Sequence, residues 1–263
     1  MVNLRISNRI KKIMKINPRA QNIQDKFNTK YSGVQELFDM EQGLQFYSKD
    51  VVKKMKKGLK IQKGNKILDF GAGTGFLAEI WREIYEINPI CLEIDPTLVD
   101  VLVAKKFEVF QKLDQLQDIF EFVYTSNVLE HIQDDVSVLT DIKNKMSVDG
   151  KLAIYVPAIP MLFSDFDASI GHFRRYSKKE LVKKVTDAGL EVEVCYWNDS
   201  LGVLAALTVK FLGYEGKLKV GYGKSLFIYD KVIYPVSKIL DFIIFKHFIG
   251  KNLFLIAKRS SLS

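Results

Sequence analysis

Lys66-Ile67-Leu68-Asp69-Phe70-Gly71-Ala72-Gly73-Thr74-Gly75-Phe76 joins an apolar run to an acid and then to three glycines at alternate positions. Phe76-Leu77-Ala78-Glu79-Ile80-Trp81 follows with apolar residues at helical spacing. The stretch reads as a strand, a tight turn and the start of a helix, the place where open α/β sheets bind nucleotides. Glycine suits such a turn because the backbone bends sharply and lies against a ligand where a Cβ would intrude.

The residues around the turn narrow the ligand. A dinucleotide fingerprint needs its third glycine where this chain has Phe76, and a phosphate-binding P-loop needs Gly-Lys-Ser/Thr after the glycines. A carboxylate at the strand end, Asp69, would repel a pyrophosphate at the helix N-terminus. It suits a cationic ligand without phosphates, such as S-adenosylmethionine with its sulfonium and α-amino groups. On this segment alone, a purely structural loop or another nucleotide stays open.

At 263 residues the chain fits one large α/β domain or a domain with a small appendage. The 48% hydrophobic content supplies a full core and argues against global disorder. Cys91 and Cys195 lie in strand-like apolar runs without metal-ligand spacing, so they read as buried small residues in a reducing compartment, and no metal is expected. The net charge of +8 is uneven, with about 16 Lys/Arg against 5 Asp/Glu from Met1 to Lys66. The densest run, Lys53-Lys54-Met55-Lys56-Lys57-Gly58-Leu59-Lys60, reads first as a solvated helix face; an anionic partner is the alternative. Leu4 to Met14 carries no secretory signal, because Arg and Lys interrupt it. Its Ile6, Ile10, Ile13 and Met14 share a helical face that would lie on a membrane or pack on the domain. The expected location is the cytoplasm, with peripheral contact at the inner membrane face as the alternative.

From Ile67 onward strands and helices alternate, which predicts a parallel sheet with helices on both faces. Strands are expected at Ile67–Phe70, Ile90–Ile94, Glu108–Gln111, Phe122–Ser126, Leu152–Val156, Leu190–Tyr196 and Asn252–Lys258. Helices are expected at Phe76–Ile87, Pro96–Lys106, Asp134–Met146 and Lys178–Ala188, and Asp149-Gly150 reads as the turn into the fifth strand. Residues 1–65 form a helical segment before this domain, which spans 66–263. Residues 199–247 form a helical insertion before the last strand, long enough to signal function. Its apolar stretches are broken by Lys210, Asp230, Lys231, Lys238 and Asp241, so a lid or an oligomer face is expected rather than a membrane span.

Four motifs resemble class I SAM-dependent methyltransferases of the type-11 and type-12 group, over roughly Gln35 to Lys258. The first is the Asp69–Gly75 turn. The second is Cys91-Leu92-Glu93-Ile94-Asp95-Pro96, whose Asp95 lies 20 residues past the last glycine and matches the acid that accepts the ribose hydroxyls. Glu93 is the weaker candidate. The third, Phe122-Val123-Tyr124-Thr125-Ser126-Asn127-Val128-Leu129-Glu130-His131-Ile132, resembles the family's fourth strand and its Leu-Glu-His continuation. The fourth, Gly171-His172-Phe173-Arg174-Arg175-Tyr176-Ser177, resembles a Gly-His-x-Arg-Arg-Tyr-Ser/Thr signature of one subset. Glu36 to Tyr47 faintly matches that subset's aromatic lid, without its His-Trp-Trp. The resemblance implies a seven-stranded Rossmann-like sheet of order 3-2-1-4-5-7-6 with the last strand antiparallel. It implies S-adenosyl-L-methionine as cofactor, contacted by Asp69, Gly71, Ala72, Gly73, Gly75, Asp95, Asn127 and Val128. Asp114 stands one residue past the family's adenine-contacting acid and is carried as a contact after a small shift.

Methyl transfer from a sulfonium is an in-line displacement, for which alignment supplies much of the rate and a base helps remove the acceptor's proton. His172, with Asp165 and Asp167 upstream, is the preferred base; its plainer reading is a loop-fixing hydrogen bond. His131 is a second candidate against a packing or capping role, and His247 reads as surface or core. Arg174 and Arg175 present forks for an anionic acceptor or for the nearby acids, and Tyr176 reads equally as site or core. The expected activity is methyl transfer to an O or N of a small molecule, lipid- or sugar-linked or anionic. An RNA methyltransferase using the basic N-terminal region is the main rival, although no Asn/Asp-Pro-Pro-Tyr/Phe or Pro-Cys motif is present. A non-catalytic SAM-binding module is the other.

Overall fold

The computed structural model describes residues 34–212, 225–243 and 245–260. Leu4 to Met14 and Tyr214 lie outside them. The sheet has seven strands in the order β3-β2-β1-β4-β5-β7-β6. The strands are β1 (Ile67–Phe70), β2 (Ile90–Leu92), β3 (Val109–Phe110), β4 (Phe120–Ser126), β5 (Met146–Pro157), β6 (Leu190–Asn198) and β7 (Asn252–Arg259). β1 to β5 pair in parallel, and β7 runs antiparallel to both β5 and β6. The order and the antiparallel last strand agree with expectation.

Strand alternation sorts the core into two layers. Leu68, Phe70, Leu152, Ile154, Val156, Leu253 and Leu255 face one side, where they meet Leu139, Ile142, Leu181 and Val185. Ile67, Ala153, Tyr155, Phe254 and Ile256 face the other side, where they meet Val51, Val52, Met55, Leu59, Ile80 and Trp81. β1 is covered on both faces, so Ile67, Leu68 and Phe70 are apolar, and the buried Asp69 is the exception near its carboxyl end. The helices are α1 (Val34–Gly43), α2 (Gln45–Leu59), α3 (Phe76–Tyr85), α4 (Pro96–Ala104), α5 (Asp135–Asn144), α6 (Asp165–Ser169), α7 (Lys178–Asp187), α8 (Gly202–Leu212) and α9 (Tyr234–Ile243). α2 belongs to the same core as the sheet, so residue 65 separates no two cores among the described residues.

Asp149-Gly150 lies in a tight turn that the pairing of β5 with β4 includes as a register irregularity, with Gly150 folded back against the Ser147 backbone. Met146 pairs with Phe120 and Lys151 with Phe122, so Ser147 to Gly150 are accommodated opposite Glu121. Asp149 takes φ of 60°, a conformation that short polar side chains tolerate.

The insertion docks onto α2 through polar contacts. Asp230, in a π-helical turn at Tyr229–Ile233 that leads into α9, accepts hydrogen bonds from the Phe46 and Tyr47 amides at 3.0 and 2.8 Å. Those are open donors of the first turn of α2, whose own N-cap Leu44 has no side-chain acceptor. Tyr234 reaches Asp50 at 2.8 Å, and Asp241 accepts from the Asp199 and Ser200 amides. No helix among the described residues is long and apolar enough to cross a membrane.

Candidate active site

The glycine turn lies at the carboxyl edge of the sheet, between β1 and its neighbours β2 and β4. The Gly71 and Ala72 amides donate to the Leu92 carbonyl at 2.9 and 3.0 Å, and Gly75 closes onto Ala72. Gly71 (φ 77°) and Gly75 (φ 76°) occupy the left-handed region. A Cβ at Gly71 would collide with the Val128 side chain, and one at Gly75 would stand 2.6 Å from Leu102. Leu37 of α1 approaches the position a Gly73 Cβ would take to 3.6 Å, so α1 covers the turn.

Acids converge on this turn. Asp69 is buried, with the Tyr124 hydroxyl of the adjacent strand beside its carboxyl. Burial pushes the Asp69 carboxyl up to about 7; the Tyr124 hydroxyl opposes the rise and the Glu93 charge adds to it. The Glu93 carboxylate accepts from the Gly73 amide at 2.7 Å and the Asp95 amide at 2.9 Å, which fixes it inside the turn. Its pKa is raised by burial. Asp95 also caps a helix. Its Oδ1 accepts from the Thr97 and Leu98 amides and caps α4, with Pro96 in the first turn. Ile94, between the two acids, is 78% exposed. Asp114 is exposed in a 3₁₀ turn at Leu113–Gln115 after β3. Asn127 ends β4 with φ of 54°, and Val128 packs against Gly71.

A second cluster follows β4 directly. Glu130 is fully buried, and neither carboxylate oxygen has a hydrogen-bond partner among the described residues. Burial, reinforced by the Asp167 charge, pushes its pKa up to about 8. The His131 and His172 rings meet edge to face at 4.5 Å, and burial, then His172, pushes His131 down to about 4. His172 Nδ1 lies 3.0 Å from Asp167 Oδ1, and its Nε2 lies 3.8 Å from Glu130 Oε1. Asp167 also binds the Arg175 Nε at 3.0 Å and the amide and hydroxyl of Ser164 at 2.9 Å. Burial works against its charge, but these partners hold Asp167 below the usual carboxylate range.

The acid that orients His172 is therefore Asp167, while Asp165 is exposed at the start of α6. Arg174 binds Asp135 at 2.8 Å and the Gln133 carbonyl, Arg175 is committed to Asp167, and Tyr176 is buried with its hydroxyl on Asp135 at 2.7 Å. All three side chains expected to meet the acceptor have protein partners, with Arg174 and Tyr176 on Asp135 and Arg175 on Asp167, while the Arg175 Nη1 has none among the described residues. Glu130 and Ile94 were missed; Glu130 lay in the Leu-Glu-His motif, and its burial was the signal the motif does not carry.

On the far side of the cleft, Tyr155 of β5 meets Tyr47 at 2.8 Å and Asn198 at 2.6 Å, and Asn252 donates to Tyr47 at 3.0 Å. This network ties α2 to the carboxyl ends of β5 and β6.

Residues 41–194 match a family model described as a methyltransferase domain. A tRNA U34 carboxymethyltransferase of Hydrogenovibrio crunogenus is 26% identical over 114 residues, which cover 37% of this chain and 34% of that protein, so the match spans about a third of the relative's length. A SAM-dependent methyltransferase from Archaeoglobus fulgidus superposes with a TM-score of 0.55 at 18% identity, over 85% of this chain and 99% of that one. Haemonchus contortus phosphoethanolamine N-methyltransferase 2, solved with S-adenosyl-L-methionine, gives 0.54 at 14% identity, over 81% of this chain and 53% of that one. With the glycine turn, the strand order and a matched stretch longer than half its length, the chain belongs to the methyltransferase-domain family and has the class I SAM-dependent fold.

Proposed function

We propose that the protein transfers a methyl group from S-adenosyl-L-methionine to an oxygen or nitrogen of a small-molecule acceptor. The observation that carries this reading is the pair of buried carboxylates in a glycine cradle. Asp69 is buried at the strand end and Glu93 is fixed on the Gly73 amide, beside the left-handed Gly71. The cradle fits a cationic nucleoside and disfavours a phosphate. When bound, the cofactor supplies an electrophilic methyl group on sulfur.

This chain's residues then divide the work. Glu93, fixed inside the turn by the Gly73 and Asp95 amides, accepts from the ribose hydroxyls in the role expected of Asp95, whose Oδ1 caps α4. Asp69 faces the ammonium end, exposed Ile94 offers an apolar platform for the base, and Asn127 and Val128 border the cleft from β4. His172 is the proton acceptor. Asp167 fixes the imidazole proton on Nδ1, which leaves the Nε2 lone pair for an acceptor hydroxyl or amine.

Calorimetry with S-adenosylhomocysteine tests the cofactor half. Glu93→Gln should weaken binding by about tenfold, roughly one charge-assisted hydrogen bond, whereas Asp95→Asn should change it less than threefold. Wild-type affinity in the Glu93 variant overturns the assignment. His172→Ala should lower kcat by about 10²-fold with the same S-adenosylhomocysteine affinity, and unchanged turnover removes His172 as base.

A second reading, RNA as acceptor, is favoured by the name of the tRNA-modifying relative and by the basic N-terminal third.

A further inference from the structure

Three side chains with metal-binding chemistry meet just past the end of β4. One ligand atom each from Glu130, His131 and His172 lies within 4.8 Å of the others. Glu130 is fully buried, and both of its oxygens lack a hydrogen bond among the described residues. A carboxylate in that state costs several kcal/mol unless a cation or donor completes it, and native proteins rarely leave one so. The remaining groups fit a ligand better than a closed hydrogen-bond network. His172 Nε2 and Glu130 Oε1 are 3.8 Å apart, too long for a hydrogen bond. Two ligands at metal-bond lengths on one tetrahedral ion stand roughly 3.4 Å apart, which a small rotation of either side chain would reach.

The surroundings are also those of a metal site. Asp167 Oδ1 receives the His172 Nδ1 proton at 3.0 Å, the carboxylate–imidazole arrangement that orients a ligating histidine and frees its other nitrogen. Charge points the same way. Ionised, as metal ligation requires, Glu130 joins Asp167 in bringing two negative charges, and Arg175, bound to Asp167, brings one positive charge. One negative charge is left without a permanent counter-charge in the cluster.

We propose that Glu130, His131 and His172 bind one divalent first-row transition-metal ion beside the methyl-donor cleft. Two imidazoles and one carboxylate select such an ion over magnesium or calcium, which prefer oxygen ligands. Sequence spacing conceals the site, because Glu130 and His131 are adjacent while His172 arrives from the loop after β5. The cluster begins two residues beyond Val128, which packs on Gly71, so it follows the same carboxyl end of the sheet as the donor turn. The ion's role there rests on the proposed function: it would lower the pKa of a bound acceptor hydroxyl or amine in place of the free His172 nitrogen. Its binding does not rest on that function.

The test uses the full chain, stripped with EDTA and titrated with Zn²⁺ by calorimetry. One ion per chain should bind in the wild type, and Glu130→Gln and His172→Ala should each weaken binding by at least about 100-fold. S-adenosylhomocysteine affinity, measured on the same samples, should stay within about threefold and so report an intact fold. A measurement on the wild type alone covers the case in which a variant fails to fold. One equivalent of Co²⁺ should shift the ring proton resonances of two of the three histidines, and not those of His247. No Zn²⁺ uptake, uptake equal in wild type and both variants, or Co²⁺ shifts confined to His247 would each overturn the proposal. Metal uptake without any S-adenosylhomocysteine binding in the wild type would sustain the site and overturn the proposed function instead.

Discussion

Asp69 shows how one buried residue sets a condition on ligand binding. Burial raises its pKa to about 7, so near neutrality the ligand-free protein holds it half protonated. A cationic ligand favours the ionised form. The affinity for S-adenosylmethionine should therefore fall as pH drops below 7, by up to about tenfold per unit until the lower pKa of the complex is reached. Asp69→Asn should bind weakly at every pH and lose this slope; a wild-type slope in that variant would move the titration elsewhere. The linkage has an opposite sign for stability. Folding favours the protonated acid, so the Asp69 contribution declines as pH rises from the unfolded value near 4 to about 7 and stays low above it. Glycine at position 71 is set by contact as well as by φ, and Gly71→Ala should abolish S-adenosylhomocysteine binding, because the added methyl meets Val128. Sequence pattern reached these residues but not which of Glu93 and Asp95 caps α4. Two acids one residue apart look alike until the start of α4 shows which one caps it.

At the scale of elements, the alternation of strands and helices was legible because the inner strands carry apolar runs and several helices carry their own start signal. Asp95 before Pro96, Asp134 before α5 and Ser177 before α7 all cap the helices they precede. α2 has no such local signal. Its acceptor, Asp230, stands 184 positions away in the insertion, so neither the cap nor the docking of the insertion could be read from neighbours in sequence. The register irregularity at Asp149 was hidden for a similar reason, since Asp-Gly marks a left-handed residue without saying whether the strand ends there. Removing the distant cap should act like removal of a local one. Asp230→Ala should destabilise the protein by about 0.5–2 kcal/mol, lowering Tm by roughly 2–4 °C per kcal/mol. Asp230→Asn should recover much of this, because the amide oxygen still accepts. Equal losses in both variants would show that the Lys231 ion pair, not the cap, carries the effect.

Over the described residues, the lysine run of α2 and the cleft lie at opposite ends of the sheet. Lys53, Lys56, Lys57 and Lys60 line a groove with Ile61, Gln62 and Tyr85, beside the amino end of β1. The glycine turn leaves the carboxyl end of that strand, roughly 13 Å away along its four residues. An accepting atom has to come within about 3 Å of the methyl group, so a molecule confined to the groove cannot be methylated there. For a small acceptor the lysines are then a solvated face, as the sequence first suggested, with Lys56 resting over the Tyr85 ring at 5.1 Å. For RNA they would be a tether that holds phosphates while another part of the strand crosses to the cleft. The two cases separate in one experiment. With a small-molecule acceptor, replacing all four lysines by glutamine should leave kcat/KM within about twofold and independent of added salt. If RNA is the acceptor, the wild type should lose affinity steeply between low and moderate salt, and the fourfold variant should lose up to about four units of that log–log slope, one per phosphate contact removed. A steep slope unchanged by the four substitutions would place the phosphate contacts on another face and leave this groove without a part in either reaction.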